Sequence, residues 1–316
     1  MRFGINVKSP YVYLPVVPFI WSTNFVIGKA VVREIPPQTM VTIRFSVAVL
    51  VLAVLLKLYE KKYPVPARKH YLPLVIMGLT GVVGFNSLLY TGLKYTTSTN
   101  SAIINALYPA LTTVLSAVIM KEQFNFRKVY GLAFSLAGVL LIITHGSWKA
   151  LITLQLNPGD ILVFLATLSW AVYSIAGKFA MRGFSPLCVT TYSSFLGLVV
   201  LYPAMFLEIS GGEPVSFTWP AIAALIYLGI FASVVATLLW NRGVQAIGPA
   251  KTAYFYNLLP LYSAVLASIF LDEEIHWYHL TGGAMVLSGI YLGALRAGPG
   301  NQELKDENFI EKGELK

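Results

Sequence analysis

The chain has 316 residues, 56% of them hydrophobic and only 12% charged, about half the charge of a soluble globular protein. Water is a poor solvent for such a surface, which sets aside a soluble enzyme or regulator and makes a lipid bilayer the first partner. The formal charge of +9 is therefore read as a signal of orientation in the membrane, and nucleic acid is not expected as a partner.

Apolar runs close to twenty residues long follow one another with short gaps, each long enough to cross roughly 30 Å of hydrocarbon as a helix. Ten are predicted, over residues 10–31, 38–58, 70–92, 98–120, 127–145, 158–181, 186–208, 218–240, 248–271 and 277–296. Residues 1–9, with Arg2 and Lys8, read as a cytoplasmic N-terminus. No small-residue cleavage site follows the first run, so that run reads as a retained helix. It carries Trp21, Asn24 and Lys29. The second span places Arg44 about seven residues in. The third holds Gly78, Gly81 and Gly84, then Asn86, Ser87 and Tyr90, and the fourth centres on Asn105, Tyr108, Pro109 and Thr112. Gly131 and Gly138 mark the fifth, and residues 148–157 read as an extracytoplasmic linker.

The sixth span repeats the first. Trp21, Gly28, Lys29 and Pro37 fall on Trp170, Gly177, Lys178 and Pro186 at an offset of 149, while Pro109, Glu122, Gly131 and Gly138 fall on Pro260, Glu273, Gly282 and Gly289 at 151. The matches keep their order in spans of matching rank, as an internal repeat requires. The sixth also carries Tyr173, the eighth ends on Trp240 and Asn241, and the ninth has Tyr254, Tyr256, Asn257 and Tyr262 around Pro260. The tenth is lined by Gly282, Gly283, Gly289 and Gly293, small residues that permit close helix packing or, equally, a homodimer contact. Residues 298–316 read as a solvated, disordered cytoplasmic tail.

Because five is odd, the second copy starts on the opposite side of the membrane and lies upside down. The expected fold class is an all-α polytopic membrane protein with ten transmembrane helices in two inverted five-helix repeats, residues 10–147 and 158–297. With the N-terminus inside, eighteen Lys and Arg fall on cytoplasmic segments and four outside, with Arg44 within the membrane, which places both termini in the cytoplasm. Inverted repeats of this kind are an architecture of secondary transporters, with a substrate site near the midplane where the copies meet.

WSTNFVIGK followed by Pro36, Pro37 and Arg44, GDILVFLATLSWAVYSIAGK in the second half, and the helix, Glu, Gly-rich helix ending of both halves resemble the drug/metabolite transporter superfamily, specifically its EamA-type ten-helix exporters. The resemblance runs from about residue 10 to 297. It implies alternating access in the plasma (inner) membrane, a central cavity walled by helices one, three, four, six, eight and nine, and peripheral helices five and ten. It also implies small-metabolite substrates, amino acids moved outward being preferred and sugars or phosphorylated metabolites the alternative. The second-half partner of Arg44 is Ser193, so this charge is not duplicated.

Polar groups in mid-span cost several kcal/mol if they face lipid unbonded, so they are expected to point into the bundle or a wet cavity. The expected cavity residues are Trp21, Asn24, Asn86, Tyr90, Asn105, Tyr108, Trp170, Tyr173, Trp240, Tyr254 and Asn257. Pro109 and Pro260, at matched places, are expected to interrupt helices four and nine as hinges or as static kinks. Lys29 and Lys178 either snorkel or bind helix C-terminal carbonyls as a gate closes. Arg44 either forks a substrate carboxylate or phosphate or ties helix two to its neighbours; since the resemblance implies that helix two lies off the cavity wall, the structural role is preferred. No Asp or Glu falls at mid-span, so a proton-coupling carboxylate is not evident. No catalytic, phosphate-loop or metal-binding motif is present, which speaks against an enzyme and against any cofactor. A membrane-embedded enzyme or a channel are the less favoured classes.

Overall fold

The computed structural model describes residues 9–32, 34–60, 68–96, 98–121, 126–147, 149, 152, 157–212, 215–270 and 274–295. Within these, the side chains at 24–26, 29, 30, 68, 69, 98, 99, 267, 270 and 295 lie outside the description. Among the described residues the chain forms ten helical columns. These are α1 (Pro10–Tyr13 and Val16–Val31), α2 (Pro37–Tyr59), α3 (Arg68–Met77, Gly78–Gly84 and Phe85–Gly92), α4 (Ser98–Asn105 and Tyr108–Met120) and α5 (Phe126–Ile143). The second half supplies α6 (Pro158–Ala180), α7 (Pro186–Ser210), α8 (Trp219–Tyr227, Leu228–Ala236 and Thr237–Ile247), α9 (Pro249–Ala253, Tyr254–Asn257 and Leu258–Phe270) and α10 (Trp277–Ile290 and Tyr291–Leu295). Seven columns are long and apolar enough to cross a membrane by length and composition alone.

Helix starts follow the local sequence. Pro37 and Pro186 open α2 and α7 at matched places, where a missing N–H removes no bond. Asn157 and Asp160 form a reciprocal capping box at the start of α6, and Ser185 Oγ accepts from Cys188 N at 3.1 Å at the start of α7.

Inter-repeat packing is preserved when the copies are exchanged: α1 packs on α8 as α6 packs on α3, α1 on α9 as α6 on α4, and α2 meets α7 while α5 meets α10. The α5–α10 crossing shows the inversion directly. A Cβ on Gly131 would lie 2.8 Å from Gly289 O, and one on Gly138 would lie 2.5 Å from Gly282 O. Rising numbers in one helix meet falling numbers in the other, so the matched helices run antiparallel, and exchanging the copies turns one contact into the other, as a twofold axis demands. The glycine face of α10 is thus taken up inside the chain, which removes it as the dimer surface that the sequence allowed. The same exchange relates two contacts between α3 and α7 and between α8 and α2: a Cβ on Gly78 would lie 2.9 Å from Ser193 O, and one on Gly229 would lie 3.0 Å from Arg44 O.

Two features were not expected from the sequence. Gly78–Gly84 of α3 and Leu228–Ala236 of α8 are π-helical at matched places. Wide turns weaken the backbone ladder, and side chains five residues on compensate: Asn86 Nδ2 donates to Gly81 O at 3.0 Å, Ser233 Oγ to Leu228 O at 3.2 Å and Thr237 Oγ1 to Ala232 O at 3.2 Å. Secondly, α4 is broken at Ala106–Leu107 and α9 passes through a tight 3₁₀ turn at Tyr254–Asn257, so Pro109 and Pro260 stand at the start of second half-helices rather than within continuous ones.

Candidate functional site

At the seam of the two copies lies a hollow open on one side and lined by residues of both. Four matched pairs straddle the axis in its lining: Trp21 and Trp170, Phe45 and Ser194, Gly81 and Ala232, Asn86 and Thr237. The remaining lining is Arg44, Val82, Phe85, Leu89, Tyr90, Tyr173 and Tyr256.

The axis itself is marked by the two tryptophans, whose rings meet edge-to-face at 5.4 Å and 80°. Trp240, Tyr256 and Tyr108 extend this aromatic cluster, with centroids 5.2 Å from Trp21 to Trp240 and 4.8 Å from Tyr108 to Tyr256. Offset and edge contacts of this kind add to the area that the rings bury. Trp170 stacks on Tyr173 at 4.6 Å.

One side of the hollow is sealed. Asn241 Nδ2 donates to Tyr173 Oη and to Thr190 Oγ1, both at 2.8 Å, joining α8 to α6 and α7. Trp240 Nε1 donates to Ser174 Oγ at 3.2 Å, and that hydroxyl also meets Tyr108 Oη at 3.0 Å. At the rim of the same side Lys178 Nζ donates to Gln245 O at 2.8 Å, in the last turn of α8. This is the lysine-to-helix-end contact that the sequence offered as one of two options. Lys29, the counterpart of Lys178 in the first copy, and Asn24 have side chains outside the described residues.

Of the expected cavity residues, Trp21, Asn86, Tyr90, Trp170 and Tyr173 line the hollow. Five others do not in this conformation, because each is bonded between helices. Tyr108 and Trp240 belong to the seal. Asn105 Oδ1 accepts from Thr167 Oγ1 at 3.1 Å, holding α4 to α6. Tyr254 Oη donates to Lys128 O at 2.5 Å and Asn257 Nδ2 to Ser135 Oγ at 2.8 Å, both pinning α9 to α5.

For Arg44 the part of the expectation that fails is that helix two lies off the cavity wall. Helix α2 does reach the wall, and Arg44 lines the hollow while only 5% exposed. Its Nε donates to Ser233 Oγ at 2.6 Å and an Nη to Tyr90 Oη at 3.4 Å. The reason is the close α2–α8 approach at Gly229, which brings the π-helical stretch with Ser233 against Arg44. Phe85 and Leu89 were missed, and only their registers relative to Asn86 could have signalled them; Tyr256, noted among the polar groups around Pro260, lines the hollow although it was not among the expected cavity residues.

The profile of the EamA-like transporter family matches residues 8–144 and 157–294. The chain is similar to the uncharacterized transporter YyaM of Bacillus subtilis (strain 168), 32% identical over 273 residues, covering 84% of this chain and 87% of that one. An uncharacterized transporter of Archaeoglobus fulgidus is 29% identical, covering 91% and 98% of the two chains. A probable terminal-alkyne amino-acid exporter of Streptantibioticus cattleyicolor is 25% identical, covering 71% and 74%. A crystal structure of a protein 18% identical superposes with a TM-score of 0.75, covering 90% of this chain and 96% of that one, and shares the fold.

Proposed function

Because the chain belongs to the EamA-like transporter family and is a multi-pass membrane transporter, we propose that it is a secondary carrier moving a small polar or amphipathic metabolite by alternating access through the central hollow. Amino acids or close relatives, moved outward, are the preferred cargo; one relative is named as a probable amino-acid exporter. Transport rather than catalysis is the reading that fits relatives named as transporters.

One observation carries the mechanism. Leu89 and Tyr90 line the hollow, while the residues that match them in the second copy, Trp240 and Asn241, are bonded into the seal. Equivalent positions thus stand in two different arrangements at once, and a carrier built on exchange of the two copies alternates by trading them. With the excess of Lys and Arg on the side of the termini, both termini are cytoplasmic, the seal is the cytoplasmic gate, and the hollow lies toward the outside. The units that rock are residues 10–147 and 158–297, and the chain resides in the inner membrane.

The test is counterflow in proteoliposomes loaded with single amino acids, organic acids, sugars or nucleotides. Accumulation of at least one labelled amino acid against the same unlabelled compound supports the reading. Flux indistinguishable from empty vesicles across the whole panel removes it. Flux of sugars or phosphorylated metabolites alone favours the alternative cargo.

A further inference from the structure

The hollow has a charge sign. Among its described lining residues Arg44 is a cation and none is acidic, and in sequence every Asp and Glu falls at a span end, in a connection or in the tail. Low-dielectric walls focus the field of such a charge, so an anion is drawn in and a cation held off.

A second donor faces the same ligand chemistry. Trp170 lines the hollow at 7% exposure, and its Nε1 has no acceptor among the described residues. Its counterpart Trp21 donates to Ala232 O at 3.2 Å. The corresponding carbonyl for Trp170 is that of Gly81, and Asn86 Nδ2 already donates to it at 3.0 Å. Where the first copy has an amide side chain, the second has Thr237, whose Oγ1 reaches Ala232 O at 3.2 Å and leaves that carbonyl room for the indole as well. Trp170, a lining residue, thus carries a buried N–H with no acceptor among the described residues. Such a donor is costly in a native structure, and a ligand oxygen removes the cost.

Around the two donors the wall is aromatic. Phe85 lies 5.1 Å from Trp170, and Trp21 lies 6.0 Å from Tyr256. Resting on the carrier reading above, we infer that the hollow recognises a small organic acid: its carboxylate accepts from the Arg44 guanidinium and from Trp170 Nε1, and its apolar body packs against Phe85, Trp21 and Tyr256. Guanidinium and carboxylate match in shape as well as charge. An ammonium finds no carboxylate in the described lining and meets the field of Arg44, so the α-amino group of an amino acid weakens its binding.

The test uses the full chain in lipid nanodiscs and displacement of tritiated 3-phenylpropionate. Four competitors share one skeleton: 3-phenylpropionate, its amide, 3-phenylpropylamine and phenylalanine. The acid is expected to compete at least ~10-fold better than amide or amine, with phenylalanine between, the scale of one charge-assisted hydrogen-bonded contact. Arg44→Lys keeps the charge and loses the fork, weakening the acid by about 10-fold. Trp170→Phe keeps the ring and loses only the N–H, weakening it by about 5-fold. Amide or amine competing as well as the acid, no displaceable binding of the acid, or unchanged binding in both variants once each runs as a folded species on size exclusion, overturns the inference. Counterflow separates this from the carrier reading: flux of the amine or of phenylalanine without flux of the acid overturns the inference and leaves the carrier standing.

Discussion

Trp21 and Trp170 are the same residue of the repeat written twice, and their rings meet at 5.4 Å on the axis that relates the copies. Yet Trp21 Nε1 donates to Ala232 O, whereas Trp170 Nε1 has no acceptor among the described residues. A shared position thus makes a structural bond in one copy and carries a buried, unbonded donor in the other.

The asymmetry is measurable as stability. Trp21→Phe deletes a buried bond to the π-helical stretch of α8 and is expected to lower unfolding free energy by about 1 kcal/mol, while Trp170→Phe removes no bond and leaves it unchanged within ~0.5 kcal/mol. Thermal unfolding of the two variants in the same lipid compares them. Equal losses would contradict the difference between the two indoles.

The α5–α10 crossing predicts a larger effect. Gly138 and Gly282 face one another's carbonyls, so a side chain at either runs into backbone as well as into Met285 or Ile142. Gly138→Val and Gly282→Val are each expected to cost about 1–3 kcal/mol or more through overpacking. Because the contact lies within the chain, the loss should not depend on protein concentration. A drop in melting temperature that vanishes on concentrating the protein would instead indicate that these glycines serve a contact between chains.

Much of this was legible in the sequence, and its limits have physical causes. Span length and charge gave the ten columns, and the matched Trp, Lys, Pro and Gly gave the inverted copies, because insertion and close packing constrain residue type directly. Position within a helix was harder. Asn105 and Asn257 share the polarity of Asn86, but their amides bond to Thr167 and Ser135 between helices, and nothing in a single sequence distinguishes an amide that faces a partner helix from one that faces a hollow. Arg44 reached the wall where α2 and α8 approach closely at Gly229, in a π-helical stretch that leaves no firm mark in the sequence beyond glycine content. Tyr254 was expected in the cavity, but the 3₁₀ turn that begins there rotates it toward α5.

The seal makes a prediction about access. Asn241→Ala deletes two buried bonds, each worth roughly 1 kcal/mol, and should shift the population toward the state open on the side of the termini by about 5- to 30-fold. Gly177 lies beside Asn241, where a Cβ would meet the flexible ends of Met77 and Met181 at 3.2 and 3.6 Å and Asn241 Oδ1 at an ordinary 3.8 Å. A Gly177→Cys reporter in a Cys188→Ala background should therefore fold. Its labelling by an impermeant maleimide from that side is expected to accelerate when Asn241→Ala is added, and Lys178→Met should act in the same direction more weakly. An unchanged rate in both would show that these bonds do not hold the seal.

The two prolines give the final prediction. Each stands just after a break in its column, Pro109 after Ala106–Leu107 and Pro260 after the 3₁₀ turn at Tyr254–Asn257. A proline at such a place removes no intrahelical bond, but it prevents the helix from continuing through the break. Pro109→Ala and Pro260→Ala restore an N–H and let the half-helices join, which makes α4 and α9 stiffer where the aromatic cluster and the seal must rearrange. The expected result is an unchanged or slightly higher melting temperature, unchanged ligand affinity and an exchange rate several-fold lower, most of all in the double variant. Affinity lost along with rate would assign the prolines to shaping the hollow, and rates equal to wild type in both would mean that the breaks are static kinks.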